Sequence, residues 1–345
     1  MQKEIYLIIC GLGNVGRAFL QLLAERGSML TETTGLSFRV AAAVDMGGAA
    51  VAGEKGTLNL PGLLAHLDKG QAVETFQDGG IPGLSGLQAL ETTPANVLVE
   101  TTPTNLVDGE PGNSHIRGAL TAGMDVVSAN KGPLVLYYRE LHDLAAQNGS
   151  RLHLSAATAA ALPTLDVART CLAGATIRSA EGILNGTTNY ILTRMGAEGL
   201  SFAAALAAAQ ELGIAETDPS YDVDGYDTAN KTIIIANRIF GTGFGPADIR
   251  IEGIAGVTPE DIAAATGRGE VIKLLGRAQK TEEGITLEVV PRSLPASHPL
   301  AAVNGSEKAI SYLTDTMDRV TVSGGKSSPV GAAAALLKDL INAFR

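Results

Sequence analysis

The sequence contains no tryptophan, 4% aromatic residues and only two cysteines among its 345 residues. Cys10 and Cys171 are too few for the disulfide framework of a small secreted protein, and they suit a reducing cytoplasm. The longest apolar runs, such as VAAAV and TIIIA, are too short to cross a bilayer, and the N-terminus lacks the layout of a signal peptide. These absences favour a cytoplasmic protein without a membrane partner.

Runs of basic residues are also absent, and the net charge is −10. Nucleic acids and anionic membranes attract clustered lysine and arginine, so neither is an expected partner. The chain does contain 45% hydrophobic residues and 41 glycines, which is enough for a large core of closely packed helices and sheets. Its length favours two domains or one elaborate domain.

The first 150 residues alternate between short apolar runs and helical patterns. Such an alternation predicts an α/β domain with a parallel sheet and right-handed crossovers. We expect helices at about 113–122 and 137–148, and a first helix from Val15 to Arg26 that Gly27 ends. The predicted strands are 5–10, 38–45, 96–101 and 125–130.

After about residue 150 this rhythm changes to an α+β pattern. We predict a strand at 176–184, short antiparallel strands between 245 and 325, and a terminal helix at 329–345 that packs back on the first domain. The stretch GVTPEDIAAAT predicts a helix start with Thr258 as N-cap and Pro259 in the first turn. Two further helices are expected at 201–213 and 227–240.

A glycine-rich loop follows the first predicted strand and opens the first helix. A G-x-G-x-x-G loop in this context is typical of a Rossmann-type domain that binds a dinucleotide. The first glycine permits the turn, the second lets a pyrophosphate approach, and the third lets helix and strand pack closely. The alternative is a glycine turn that matches by chance. The loop consists of Gly11, Leu12, Gly13, Asn14, Val15 and Gly16.

Asp45 ends the second predicted strand, where a carboxylate can bind the ribose hydroxyls of the cofactor. Its distance from Gly16 is longer than usual, which we interpret as a polar insertion, SMLTETTG, between helix and strand. A 2′-phosphate would meet this carboxylate with little counter-charge, so NAD is expected, with NADP possible. Lys55 would oppose this expectation if its loop folds back.

Lys131 follows the fourth predicted strand at the sheet edge where ligands bind in open α/β sheets. A surface lysine without a role is the alternative at this position. The neighbouring strand ends in TTPTN, which is expected to line the nicotinamide half of the same crevice. The cofactor-binding residues predicted at this edge are Thr101, Thr102, Pro103, Ala129 and Asn130.

An acidic block, AETDPSYDVDGYDTANK, spans residues 215–231. An EF-hand reading places Lys231 where calcium requires a bidentate glutamate, so we do not expect a calcium loop. Asp218–Pro219 and Asp224–Gly225 are ordinary turn chemistry, and we interpret Asp218 and Asp224 as structural.

Asp227 and Lys231 stand four residues apart at the start of a predicted helix, so they share one face. Held partly buried, such a pair can be tuned for proton transfer. The alternative is a surface ion pair worth ~0.3–0.5 kcal/mol, and the residues alone support both readings equally.

Four motifs in this order resemble the homoserine dehydrogenase family: GLGNVG, SANKGP, EGILNGTTNYIL and LGIAETDPSYDVDGYDTANK. TTPTN and DGEPGNSHIRGAL are similar to the short, archaeal-type members, which lack kinase and regulatory domains. The resemblance covers most of the chain and is strongest from 96 to 240. It implies a nucleotide-binding domain (1–150) and a substrate-binding and dimerisation domain (151–328) in a homodimer.

The resemblance also implies a reaction, the reversible NAD(P)-linked interconversion of L-homoserine and L-aspartate 4-semialdehyde in threonine and methionine biosynthesis. On the matching positions, Lys131 and Lys231 are the lysines at the reacting centre, and Asp227 lies beside them. Glu216, together with Asp222, is expected to bind the amino group of the substrate. The loop beside the substrate is expected to comprise Asn185, Gly186 and Thr187.

The sequence departs from the family pattern at several positions. Ser155 replaces a glutamate that supports a sodium-type site, so no tightly bound metal is expected. Ile214 stands where many members carry tyrosine, and the glycine pattern at 323–333 is looser. These departures leave an alternative open, a related NAD(P)-dependent dehydrogenase of another short hydroxy or amino-alcohol substrate. A non-catalytic NAD sensor is disfavoured because Lys131, Asp227 and Lys231 are all present.

Overall fold

The computed structural model describes residues 2–53, 56–325 and 327–345. It divides into two compact units. One comprises residues 1–160 together with 328–345, and the other comprises residues 161–327. Each unit contains a sheet of its own.

The first unit is built on a seven-stranded sheet with the order β4-β3-β2-β1-β5-β6-β7. Its strands are β1 (Lys3–Cys10), β2 (Leu36–Asp45), β3 (Gly48–Val51), β4 (Gly80–Pro82), β5 (Val97–Glu100), β6 (Asp125–Ser128) and β7 (Leu152–His153). Its helices are α1 (Asn14–Thr34), α2 (Leu60–Asp68), α3 (Gly86–Thr92), α4 (Gly112–Thr121), α5 (Lys131–Leu136), α6 (Tyr138–Gln147), α7 (Ser155–Ala159) and α14 (Pro329–Phe344).

The predicted parallel core of this sheet is confirmed. β1 pairs in parallel with β2 and β5, and β6 pairs in parallel with β5 and β7. The prediction missed β3 and β4, which extend the sheet in antiparallel directions. Neither strand shows a strong apolar run, because β3 is glycine- and alanine-rich and β4 has three residues.

The predicted end of the first helix at Gly27 is wrong, since α1 continues to Thr34. The segment taken as a polar insertion is therefore two further helical turns. Thr31 and Thr34 donate their hydroxyls to carbonyls four residues earlier, at 2.9 and 2.6 Å. Gly35, with φ of 74°, ends the helix instead. A single interior glycine costs about 1 kcal/mol, which the packing of a long helix overrides.

The terminal helix α14 packs within the first unit. Leu336 and Leu340 are fully buried in a core cluster that also contains Phe19 and Leu23 of α1. The backbone N–H of Ser155 donates to the Asp339 carboxylate at 3.0 Å. The last helix of the chain thus completes the core that the first strand begins.

The second unit contains a six-stranded sheet with the order β13-β12-β8-β10-β11-β9. Its strands are β8 (Ile177–Ile183), β9 (Ile249–Ile251), β10 (Glu270–Thr281), β11 (Gly284–Pro295), β12 (Ala309–Thr314) and β13 (Arg319–Ser323). Its helices are α8 (Thr164–Asp166), α9 (Gly186–Glu198), α10 (Phe202–Glu211), α11 (Ser220–Val223), α12 (Tyr226–Phe240) and α13 (Pro259–Gly267).

The antiparallel pairing predicted between residues 245 and 325 is confirmed for β10, β11, β12 and β13. It is wrong for β9, which pairs in parallel with β11. The predicted strand at 176–184 is confirmed as β8, which pairs with β10 and β12. The prediction that all these strands are short is wrong for β10 and β11, which are twelve residues long each and form a hairpin. The predicted cap of α13 is confirmed: the Thr258 hydroxyl accepts from the Asp261 N–H at 3.1 Å. Among the residues described, no helix is long and apolar enough to cross a membrane.

Candidate active site

The glycine loop joins β1 to α1, and the absence of a Cβ has a different structural reason at each of its three glycines. Gly11 has a φ of 95°, and a Cβ there would lie 2.6 Å from the backbone that follows β5. A Cβ on Gly16 would lie 2.0 Å from the carbonyl oxygen of Gly11. Apart from Gly13 and its two chain neighbours, no described residue has an atom within 4 Å of a Cβ built on Gly13. The backbone at Gly13 is therefore open to a close approach by a ligand.

The start of α1 carries the features of an anion-binding helix end. Gly13 is its N-cap and provides no side-chain hydrogen bond, and its first turn contains no acidic residue. The first backbone N–H groups of such a helix lack helical partners and attract negative charge. Arg17 holds the loop by donating to the carbonyl of Leu12 at 2.8 Å. The loop, including Asn14 and Val15, fits a dinucleotide pyrophosphate.

Asp45 is the last residue of β2, and its side chain is exposed. One of its carboxylate oxygens accepts from the N–H of Met46 at 3.0 Å. This places a fixed negative charge at the carboxyl end of the strand beside β1, where the adenosine ribose of a dinucleotide binds. Lys55, the residue that could counter this charge, lies outside the described residues.

The residues after β5 are tied to the glycine loop and to the segment after β6. The Thr101 hydroxyl donates to the carbonyl of Gly11 at 2.7 Å. Asn130 donates its side-chain amide to the Thr102 hydroxyl at 3.0 Å and to the Pro103 carbonyl at 3.3 Å. The two strand ends predicted to line the cofactor are therefore joined by direct hydrogen bonds, with Ala129 between β6 and Asn130.

Asn130 also fixes the start of α5. Its side-chain oxygen caps this helix by accepting from the N–H of Gly132 at 3.0 Å. Lys131, the first residue of α5, is partly buried. Its backbone N–H donates to the Thr104 hydroxyl at 3.4 Å. These hydrogen bonds fix the backbone position of Lys131, the lysine of SANKGP.

The helix α12 begins after Gly225, whose φ is 91°, and carries the predicted acid–lysine pair in its first turns. Lys231 donates to the Asp227 carboxylate at 2.5 Å and to the carbonyl of Leu184 at 2.8 Å. The two side chains are 14% and 8% exposed. The predicted shared face is confirmed, and the pair is largely buried. An ammonium one turn inside a helix start opposes the helix dipole, and the two acceptors offset this cost.

Asn185 connects the pair to the rest of the acidic block. Its amide nitrogen donates to Asp227 at 2.8 Å and to Asp222 at 2.7 Å. Its amide oxygen caps α9 by accepting from the N–H of Thr188 at 3.0 Å. One buried amide therefore holds two carboxylates and the start of a helix together.

The remaining predicted substrate residues, Gly186, Thr187 and Glu216, differ in exposure and in their contacts. Gly186 is close to the backbone of Ser306, since a Cβ on it would lie 2.8 Å from that carbonyl oxygen. The buried Thr187 donates its hydroxyl to the carbonyl of Ile214 at 3.1 Å. Glu216 is exposed, and its backbone carbonyl accepts from Gln210 at 3.0 Å.

Asp218 and Asp224, two further carboxylates of the block, lie in bend and turn segments on either side of α11. Asp218 accepts from the N–H of Ser220 at 3.1 Å, and hydrogen bonds from Ser220 lower the pKa of Asp218. Asp224 is exposed at the end of α11. Neither is directed at Lys231 through a described contact. The structure thus separates two turn carboxylates from Asp222 and Asp227.

Three charged or titratable residues near these sites were missed from the sequence. Glu100, at the end of β5, is fully buried and is paired with His115 at 2.9 Å. Lys308 is 1% exposed, and its pKa is lowered to about 8, chiefly by burial and also by the charge of Lys231, against the opposing charge of Asp227. For two of them the sequence did offer a sign of burial, a charged residue beside or within an apolar run. These runs are NVLVET for Glu100 and EKAISYL for Lys308.

The positions that depart from the family pattern lie in ordinary structural settings. Ser155 is 8% exposed and begins α7. Ile214 follows α10 and offers its carbonyl to Thr187. Gly325, with φ of 74°, lies close to the backbone of Leu162. None of these positions carries a carboxylate in this chain.

Comparison with known proteins gives a consistent match along the chain. The family model described as "Homoserine dehydrogenase, NAD binding domain" matches residues 11–155, and the one described as "Homoserine dehydrogenase" matches residues 163–341. The chain is 38% identical to a homoserine dehydrogenase of Methanocaldococcus jannaschii over 98% of both chains. It is 35% identical to an NAD(+)-dependent homoserine dehydrogenase of Pseudomonas canavaninivorans, over 98% of this chain and 96% of the relative.

Among solved structures, the chain is similar to a putative homoserine dehydrogenase from Archaeoglobus fulgidus. The TM-score is 0.86 with 34% sequence identity, and the match covers 99% of both chains. The similarity therefore extends to the fold of the whole chain.

Proposed function

The chain belongs to the homoserine dehydrogenase family, and we propose that it catalyses the reversible, NAD(P)-linked interconversion of L-homoserine and L-aspartate 4-semialdehyde. This is a step of threonine and methionine biosynthesis in the family. The observation that carries the proposal is the buried pair of Lys231 and Asp227. It places a lysine ammonium, held by a carboxylate, within the residues that the family model described as "Homoserine dehydrogenase" matches.

In this proposal Lys231 is one of two lysines at the substrate hydroxyl. Two of its three N–H donors are taken by Asp227 and the Leu184 carbonyl, which leaves one for a substrate oxygen. In the oxidation direction the hydroxyl proton passes to a lysine amine while the carbinol carbon loses hydride. In the reverse direction the same group protonates the aldehyde oxygen. A cation beside the developing alkoxide supplies electrostatic stabilisation.

We propose that Lys131 is the second lysine of the reaction. Its support is its position just after β6, at the carboxyl end of a parallel strand, where open α/β sheets bind ligands. Substitution of each lysine by alanine decides which one transfers the proton. In homoserine oxidation this lysine acts as a base and must be deprotonated, so it is the one whose loss abolishes the fall in rate at low pH.

Recognition of the amino acid is assigned to the residues around Asn185. Asp222 and the exposed Glu216 offer carboxylates for the substrate ammonium, and Gly186 and Thr187 form the adjoining helix start. Asp227 keeps Lys231 in place. Asp218 and Asp224 are not part of this assignment, because they lie in turn segments beside α11 and no described contact joins them to Lys231.

The cofactor is NAD(P), which when bound accepts the hydride at its nicotinamide ring. We propose that the loop Gly11–Gly16 holds the pyrophosphate and that Thr101–Pro103, with Ala129 and Asn130, lines the nicotinamide side. Asp45 favours NAD, because its carboxylate would repel the 2′-phosphate of NADP. Asp45→Asn should therefore raise kcat/KM for NADP relative to NAD, and an unchanged ratio would contradict this role.

The deciding experiment is a homoserine oxidation assay of the purified protein with NAD and NADP in parallel, with and without sodium or potassium. Lys231→Ala should lower kcat by at least about a hundredfold and change NADH binding by less than about twofold. Lys280→Ala, an exposed lysine on β10, serves as the control and should match the parent protein. Near-normal kcat in Lys231→Ala would refute the role of Lys231.

The same assay run with a panel of short hydroxy acids and amino alcohols tests the alternative substrate class. Turnover of another member of the panel, without turnover of homoserine, would replace the proposed activity. The family resemblance also leads us to propose a homodimer formed through the second unit. Light scattering during gel filtration measures this, and a monomer would exclude it. We further propose a cytoplasmic location, since both cysteines are unpaired.

A further inference from the structure

A buried carboxylate immediately precedes, in the chain, the segment Thr101–Pro103 that is assigned to the nicotinamide side. Glu100 ends β5 with no exposed surface, and both of its oxygens accept hydrogen bonds. One oxygen accepts from the backbone N–H of Thr102 at 2.7 Å and from the Thr102 hydroxyl. The other accepts from Nδ1 of His115 at 2.9 Å. A buried carboxylate is costly unless it is satisfied in this way, so these contacts define one arrangement.

The hydrogen bonds continue from Thr102 to the helix that carries Lys131. The Thr102 hydroxyl donates to Glu100 and accepts from Asn130 at 3.0 Å. Asn130, which is 1% exposed, caps α5 at its first turn. An unbroken chain of side chains thus runs from His115 on α4 to the residue before Lys131.

We infer that His115 and Glu100 are positioning residues for the reaction, which act through Thr102 and Asn130 on the cofactor-lining segment and on Lys131. This inference rests on the proposed function, because it concerns the same site. Neither residue is expected to touch substrate or cofactor. Their effect is to fix where Thr102, Pro103 and the first turn of α5 stand.

The surroundings of the His115 imidazole keep its ring in the orientation that bonds Glu100. Gly86, at the start of α3, lies against its far side, and a Cβ there would meet Nε2 at 2.3 Å. Ring rotation is therefore limited by contact with a backbone. Imidazole Nδ1 is held toward Glu100 while the other ring nitrogen faces this helix start.

Cys10 is the remaining titratable group close to the carboxylate. Its sulfur lies within 4.8 Å of ligand atoms of Glu100 and His115, a grouping that could also suggest a metal site. Burial, and then the charge of Glu100, raise the pKa of the Cys10 thiol well above its ordinary value, so it remains a neutral thiol. Both carboxylate oxygens are already engaged. The hydrogen-bond network therefore accounts for these groups without an ion.

Three variants test the inference at the level of single hydrogen bonds. Glu100→Gln replaces one acceptor oxygen by an amide donor, which cannot satisfy both Thr102 and His115. His115→Leu removes the donor to Glu100. His115→Asn restores a donor near the position of Nδ1. Glu140→Gln is the matched control, since this exposed carboxylate pairs with Arg117 of the same α4 at 2.6 Å.

The expected result is a loss of kcat of about ten- to a hundredfold in Glu100→Gln and His115→Leu, because small misplacements of reacting groups carry costs of this order. KM for homoserine should change by less than about threefold. His115→Asn should recover most of kcat, and Glu140→Gln should equal the parent protein. With homoserine deuterated at its hydroxyl carbon, the isotope effect on kcat should rise in the two damaged variants.

A purely structural role predicts something different. It lowers Tm in Glu100→Gln and His115→Leu but leaves kcat of the folded protein unchanged at low temperature, and that result would overturn the inference. If His115→Leu fails to fold, Glu100→Gln and His115→Asn decide. If the parent protein does not oxidise homoserine, the proposed function fails. The positioning role is then judged by NADH fluorescence titration, where unchanged affinity in the folded variants refutes it and severalfold weaker binding supports it.

Discussion

Lys308 allows a quantitative prediction, because its charge is buried in the second unit. It is 1% exposed, and burial lowers its pKa from 10.5 to about 8. Between these two values the unfolded chain binds more protons than the folded protein, so the free energy of unfolding rises with pH across the window. Below about pH 8 both states are protonated, and the folded state then carries a penalty of about 3 kcal/mol.

Lys308→Met removes this penalty while keeping a side chain of similar length. Relative to the parent protein, the variant should be most favoured at pH 7 and should lose about 2 kcal/mol of that relative stability by pH 9.5. The measurement is urea unfolding followed by circular dichroism, for both proteins at both pH values. Comparing differences cancels the titration of all other groups.

Lys280→Met is the control for this experiment. Lys280 is exposed on β10, so its stability difference from the parent should be the same at pH 7 and 9.5. If the difference for Lys308→Met is also independent of pH, Lys308 does not carry a buried charge and the reasoning is refuted. A difference that grows with pH would refute it as well, because its sign would be reversed.

Three further substitutions give separate tests. Gly16→Ala places a Cβ 2.0 Å from a carbonyl in the same loop, and NADH affinity, measured by fluorescence, should fall about ten- to a hundredfold; equal affinity would contradict the packing. Asn185→Ala removes the amide that donates to both Asp222 and Asp227, so kcat and the melting temperature should both fall. A fall in kcat alone would show that Asn185 serves only the site, and a fall in melting temperature alone would show that it serves only the fold. Tyr312→Phe removes a buried hydroxyl that donates to a backbone carbonyl at 2.6 Å; the free energy of unfolding should fall by about 1–3 kcal/mol, while the pH–rate profile stays unchanged.

Sequence periodicity was sufficient where local chemistry and packing agree. The strand–glycine–helix order at residues 5–16 could be predicted because each glycine is required by the backbone itself. The pairing of Asp227 with Lys231 could be predicted because helical spacing alone brings them together. Contacts between residues close in sequence therefore account for much of what was correct.

The errors arose where tertiary packing outweighs a local signal. Glycine ends helices in many proteins, yet α1 continues through Gly27 because the turns beyond it bury an apolar side chain, that of Leu30. Glu100 and His115 are fifteen residues apart, and only the sheet and α4 bring them to 2.9 Å. Lys308 directly precedes β12, which pairs with β8 more than a hundred residues earlier in the chain, and no spacing rule predicts its burial.

The route of the chain through the first unit has a consequence for its synthesis. This unit uses residues 1–160 and then 328–345, so its core lacks Leu336 and Leu340 until the last helix is made. At ribosomal rates of ~5–20 residues per second, the first segment waits roughly ten to forty seconds for its missing helix. Throughout that interval the apolar surface that α14 covers is open to chaperones. A nascent chain stalled before residue 328 would hold the whole glycine loop but only an incomplete cofactor-binding unit.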